Sequence, residues 1–241
     1  LEKKKILITG FPHTGTTILR SKFGECYDTH EVLTECDIIH PRIISDSGNK
    51  KNILIKSPVL PLEIRKHGVE CEMYKDFYII FTNRNPWNLF TSIIKRGYDP
   101  LCGCRDHFKS EYYHTIEEYI VACKRFLEAS NSSNKNLFTI KYEDFFEDDG
   151  INLKNIMNSI GLEFDEDIFR KKTKDYKIDY RAHIPSEKPS NPKQNEELRN
   201  WQINQPFQNM NSEVDIPEEL NKILSESPII KELGYTDPRI K

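Results

Sequence analysis

Lys4-Lys-Ile-Leu-Ile-Thr-Gly10-Phe-Pro-His-Thr-Gly15-Thr-Thr17 reads as a strand, a tight turn and the start of a helix. The β-branched run Lys4–Thr9 has the composition of a buried strand and stops at Gly10. Thr16–Phe23 then carries helical spacing. The same alternation recurs outward from this stretch. Asn52–Lys56, Asp76–Thr82 and Asn136–Lys141 read as further strands. A helix opens at Pro86 behind the capping residue Asn85, and others cover Thr115–Ala129 and Ile151–Ile160. Short helices are expected near Glu218–Leu224 and Ile229–Leu233. Strands alternating with helices predict an α/β fold: a central, mostly parallel sheet between two helical layers.

The chain has 241 residues, with 35 Lys+Arg against 38 Asp+Glu, a net charge of −3. That length suits one domain, residues 1–241, and the Asn-, Gln- and Pro-rich stretch 186–212 reads as a long surface loop or lid. With thirteen Phe, eleven Tyr and two Trp the chain is not disordered. No run approaches the ~18 apolar residues of a membrane span. The charge balance gives no basic field for nucleic acid, so any anion must be gripped locally. Six sparse cysteines point to free thiols and a reducing, cytoplasmic setting, while a start at Leu1 leaves room for a trimmed lumenal or membrane-anchored domain. Cys102-Gly-Cys104 with His107 is too small a set to predict a metal, and none is expected.

Gly10–Thr17 has the geometry of a phosphate-binding loop. Glycine allows the tight turn, and successive N–H groups point at an anion over a helix N-terminus. Against the nucleotide-binding pattern GxxxxGK[ST] both glycines and the last hydroxyl match, but Thr16 stands where the lysine belongs. A second constellation, Arg84-Asn85-Pro86 with Ser92 two turns on, ends one strand and opens the next helix. An arginine at the carboxyl end of a parallel strand sits where such sheets bind ligands, and it can fork onto a phosphate. Two anion sites on one sheet suggest a ligand phosphorylated at two places.

These motifs resemble those of the sulfotransferases that use 3′-phosphoadenosine 5′-phosphosulfate. Phe11–Thr17 is similar to their 5′-phosphosulfate loop, Arg84–Ser92 to their 3′-phosphate motif, and Lys141-Tyr-Glu-Asp144 to a Y-E-D that follows a later strand. Ile55-Lys-Ser-Pro58 resembles a K-[ST]-P between the two. The order holds from about Ile6 to Phe146, and the remainder matches only through Trp201 and Leu233-Gly-Tyr235.

The resemblance implies a P-loop-type fold that transfers a sulfuryl group to an acceptor hydroxyl (carbohydrate, tyrosyl or small metabolite) and leaves adenosine 3′,5′-bisphosphate. It implies donor contacts at Pro12, His13, Thr14, Gly15, Thr16, Thr17, Arg84, Ser92 and Tyr142, with Tyr142 near the adenine. Catalytic roles fall to Glu35 as general base, His13 beside the leaving oxygen and Lys56 near the transferred group. Glu35 is preferred from the run Thr34–Arg42; Glu31, His30 and His40 are the other candidates. His13 replaces the usual Lys or Arg, and a bound dianion would favour its charged form. That replacement, Ile18 in place of an adenine-stacking aromatic, and the absence of an Arg-Lys-Gly element bring the chain nearer the tyrosylprotein, carbohydrate and bacterial branches. The rival readings are a kinase-like phosphotransferase on the same scaffold and a non-catalytic nucleotide-binding domain.

Overall fold

A computed structural model describes residues 3–33, 52–57, 59–102, 114–170, 207–209, 211 and 213–240. Strands β1 (Lys4–Gly10), β2 (Thr29–Leu33), β3 (Asn52–Lys56), β4 (Phe77–Asn83) and β5 (Leu137–Lys141) form one sheet in the order β2-β3-β1-β4-β5. Every pairing is parallel. The helices are α1 (Thr16–Gly24), α2 (Leu62–His67), α3 (Pro86–Ile94), α4 (Ile116–Asn131), α5 (Ile151–Ile160), α6 (Glu218–Glu226) and α7 (Pro228–Glu232).

Side chains alternate across the strands, which is why the interior divides in two. Ile6, Ile8, Leu54 and Ile80 face Leu19 and Phe23 of α1 and Leu153, Ile156 and Met157 of α5. Leu7, Ile53, Ile55, Ile79 and Phe81 face the other way, against α2, α3, α4, α6 and α7. The three-layer α/β architecture expected from the sequence is present.

Two elements differ from expectation. Thr29-His-Glu-Val-Leu33 is a strand that the sequence reading left out, because its first half is polar and it pairs on one side only, with β3. Helix α2 was also not anticipated; it is only six residues long and begins behind Pro61. The stretch 186–206, with Trp201, lies outside the described residues.

The end of the chain is stitched to the carboxyl edge of the sheet. Asn85 Nδ2 donates to Thr236 O (3.0 Å), Trp87 Nε1 to Asn221 Oδ1 (2.9 Å) and Lys141 Nζ to Leu233 O (2.7 Å). Asn85 Oδ1 meanwhile caps α3 by accepting from Trp87 N (3.1 Å).

The parallel register carries every strand's carboxyl end to one edge: Gly10 beside Thr82, Ile8 beside Lys56, Asn83 beside Lys141. The connection from β1 leads to β2 on one side, and that from β4 leads to β5 on the other. The neighbours β1 and β4 therefore bound the crevice in which open α/β sheets bind ligands. Gly10 closes β1 against β4 so tightly that a Cβ there would lie 2.5 Å from Thr82 O and 2.8 Å from Thr14 Oγ1. Gly10→Ala is expected to destabilise the fold by ~1–3 kcal/mol, the usual cost of overpacking. Urea unfolding followed by circular dichroism measures it, and an unchanged midpoint would contradict the close approach.

Candidate functional site

The loop between β1 and α1 is a fixed turn. His13 and Gly15 both adopt left-handed backbone, at φ 69° and 92°. A side chain at 15 would also strike Tyr142 Cδ2 at 2.7 Å and Phe145 Cε2 at 2.6 Å. Leu19 N donates to Gly15 O (3.1 Å), the first helical hydrogen bond. The N–H groups of Thr16, Thr17 and Ile18 thus precede any intrahelical acceptor. No side chain caps this end and no acidic residue sits in the first turn, so it remains suited to an anion. Pro12 and Thr16 are buried and Thr17 half-buried. The Thr14 hydroxyl faces inward, 2.6 Å from both Phe11 O and Thr82 Oγ1, and fastens the loop to β4.

Arg84 leaves β4 directly opposite. It is only 7% exposed, its Nη1 donates to His13 O (3.1 Å), and its guanidinium lies 4.1 Å from the centre of the Tyr142 ring. The two sequence motifs thus touch. Tyr142 was expected near an adenine; its ring is buried, a shelf under Arg84 packed against Phe145 and Phe146.

The backbone of Arg84 is held from a distance that local spacing does not reveal. Its N–H donates to Asn83 Oδ1 (2.8 Å), and the Tyr119 hydroxyl from α4 reaches Arg84 O (2.9 Å) and Asn83 Oδ1 (3.1 Å). The Tyr119 ring packs edge-on against Phe11, so one buried tyrosine braces both the loop and the Arg84 segment. Read from sequence, Tyr119 is one more residue on an amphipathic face.

His13 Nδ1 lies 3.1 Å from Ser92 Oγ on α3, bringing together two more of the expected residues. Its ring meets His114 edge-on at 5.6 Å, and His114 stacks on Tyr98 at 4.0 Å; neither of these was singled out from the sequence. Burial, followed by the positive fields of Arg96, His114, Arg84 and Lys56, pushes the His13 pKa well below its ordinary value of 6.5. That shift favours the neutral imidazole. Lys56 is buried at the end of β3, beside Ile8 and close enough to act on His13.

Glu35, His40 and the rest of Thr34–Arg42 lie outside the described residues, as do Cys104 and His107. His30 and Glu31 fall within β2, Glu31 level with Leu54 of β3. Among the described residues, no group of three or more His, Cys, Asp or Glu side chains is placed to hold a metal ion.

Glu143 accepts from Asn85 N through Oε1 (3.0 Å), while its Oε2 is buried with no partner among the described residues. Burial raises its carboxyl above the ordinary 4.5, more than Arg84 and the backbone donors lower it. The folded state therefore holds this proton more readily than the unfolded chain, and the resulting stability is lost as pH rises from about 4.5 through the raised value. Glu143→Gln keeps an oxygen for Asn85 and buries no charge. Denaturation across pH 4–8 should show the variant gaining stability relative to wild type as pH rises; a constant difference would contradict the assignment.

No protein-family model matches the sequence, and no curated protein does either. Solved structures do. The sulfotransferase domain of the Synechococcus PCC 7002 olefin synthase aligns with a TM-score of 0.50 at 12% identity, over 98% of this chain and 97% of that domain. Mouse sulfotransferase SULT7A1, complexed with PAP, aligns with a TM-score of 0.47 at 17% identity, over 69% of this chain and 62% of the mouse protein. With its parallel sheet, its loop over α1 and Arg84 at the crevice, the chain has the sulfotransferase fold.

Proposed function

We propose that the protein is a sulfotransferase that moves a sulfuryl group from 3′-phosphoadenosine 5′-phosphosulfate to an acceptor hydroxyl. The observation that carries this reading is the meeting of the two anion-binding segments: Arg84 Nη1 on His13 O at 3.1 Å, in the crevice between β1 and β4. The 5′-phosphosulfate would lie over the first turn of α1, gripped by its N–H groups and the Thr16 and Thr17 hydroxyls. Arg84 and Ser92 would take the 3′-phosphate. The acceptor oxygen attacks sulfur as its proton passes to Glu35, two residues beyond the end of β2. The bond from sulfur to the bridging oxygen breaks and the bisphosphate leaves. Charge grows on that oxygen, where His13 and Lys56 are the groups suited to stabilise it. A neutral His13 does so as a hydrogen-bond donor, and a dianionic donor would draw its pKa back up. We read residues 1–241 as one domain of this kind.

Thr16 in place of a P-loop lysine favours this over a nucleoside triphosphate-dependent phosphotransferase, since that lysine is the main protein cation on the terminal phosphates. Calorimetry should find adenosine 3′,5′-bisphosphate binding without magnesium and well ahead of adenosine 5′-phosphate. Arg84→Ala should weaken it by ~1.5–3 kcal/mol, the worth of a charged hydrogen bond. Equal affinity for the two nucleotides would remove Arg84 and Ser92 from the reading. Glu35→Gln should preserve bisphosphate binding and lower turnover by ~10²–10⁴, as loss of a positioned base does. Wild-type turnover in that variant would move the role to another group.

A further inference from the structure

Arg84 is nine-tenths buried, yet its donors are unevenly used. Nη1 donates to His13 O, Nη2 donates to Asn211 Oδ1 (2.6 Å), and Nε is buried with no acceptor among the described residues. Nε and Nη2 project parallel N–H bonds from one edge of the planar group, an edge that takes two oxygens of a single phosphate. Half of that edge lacks a partner among the described residues. The other half is held by a neutral carboxamide oxygen.

The carboxamide comes from a part of the chain anchored on both sides of the sheet. Phe207 packs 4.9 Å from both Phe146 and Phe169, on the face that carries α1 and α5. Val214 and Ile216 pack into the core of the opposite face, and Asp215 N donates to Thr91 Oγ1 of α3 (3.0 Å). Asn211 stands between these anchors. It is exposed to solvent, its backbone N–H is turned to Asn209 Oδ1 (3.1 Å), and its side chain reaches in to Arg84.

We propose that Asn211 is a latch that competes with the nucleotide for Arg84. Its oxygen occupies Nη2, and a phosphate that takes the Nε–Nη2 edge must displace it, so phosphate binding and release of the Asn211 contact are one event. The Asn211 oxygen offers the guanidinium only a neutral dipole, whereas a phosphate brings full negative charge and two oxygens to the same edge, so the exchange runs toward the phosphate. The contact keeps Nη2 satisfied when no anion competes, and it subtracts from affinity when one does. The proposal rests on the reading of Arg84 as a phosphate-binding residue.

Calorimetric titration with adenosine 3′,5′-bisphosphate tests it in wild type, Asn211→Ala, Asn211→Asp, Arg84→Ala and the Arg84→Ala/Asn211→Ala double variant. Asn211→Ala should bind at least ~10-fold more tightly, the equivalent of one hydrogen bond to a charged group no longer displaced. Asn211→Asp should bind at least ~10-fold more weakly, because a carboxylate paired with Arg84 opposes the phosphate. In the Arg84→Ala background, Asn211→Ala should change nothing, since the effect passes through Arg84. Unchanged or weaker binding by Asn211→Ala alone overturns the latch; weaker binding would make Asn211 a direct contact to the nucleotide. If Arg84→Ala binds the bisphosphate as well as wild type, the phosphate-binding reading itself fails, and the latch with it.

Discussion

A guanidinium withdrawn from water with mostly neutral company is the constraint around which this site is arranged. Both side-chain hydrogen bonds that Arg84 makes among the described residues go to uncharged oxygens, and a tyrosine ring lies beneath it. Burial lowers its pKa, against smaller opposing effects of Tyr142 and Glu143. Such a charge is costly unless its remaining donors find an anion. The fold carries that cost through supports remote from the charge: Tyr119 on the Arg84 carbonyl, Asn83 on its N–H, and Glu143 on the next N–H along. Each support is neutral or shifted toward its neutral form, so the positive potential of the crevice is left largely unquenched.

The same logic explains His13. A lysine or arginine at this position would add a permanent charge beside Arg84, Arg96 and Lys56. An imidazole yields its proton instead and still presents a polar atom to Ser92. The crevice thus combines the permanent cations Arg84, Arg96 and Lys56 with one conditional cation, His13.

Most of the scaffold was legible because its signals are local. Ile6–Ile8 alternate between two apolar faces, Gly10 and Gly15 occupy positions where a side chain would collide, and Asn85-Pro86 starts α3 as capping rules require. Strand β2 was illegible because an edge strand buries less and tolerates Thr-His-Glu at its start. Residues that hold the site from afar were illegible for another reason. Tyr119 lies 35 residues from Arg84 and Asn211 lies 127 residues away. No periodicity links such pairs. An apolar helix face containing a tyrosine signals only that its hydroxyl needs a partner. The inward turn of Thr14 is likewise a contact with β4, invisible in the loop's own sequence.

The stitching of α6 and α7 to the sheet edge bears on the order in which the molecule is made. Asn85 waits for Thr236, and Trp87 for Asn221, contacts spanning 151 and 134 residues. A ribosome delivers β1, α1 and Arg84 long before the segments that fasten α3 in place. Nascent chains of intermediate length therefore carry the loop and Arg84 on an unfinished edge, with the apolar surface meant for Leu220, Leu224 and Ile230 exposed. Closure of that surface is a long-range event that awaits both helices. The edge around Arg84 is thus complete only once α6 and α7 have been made and docked.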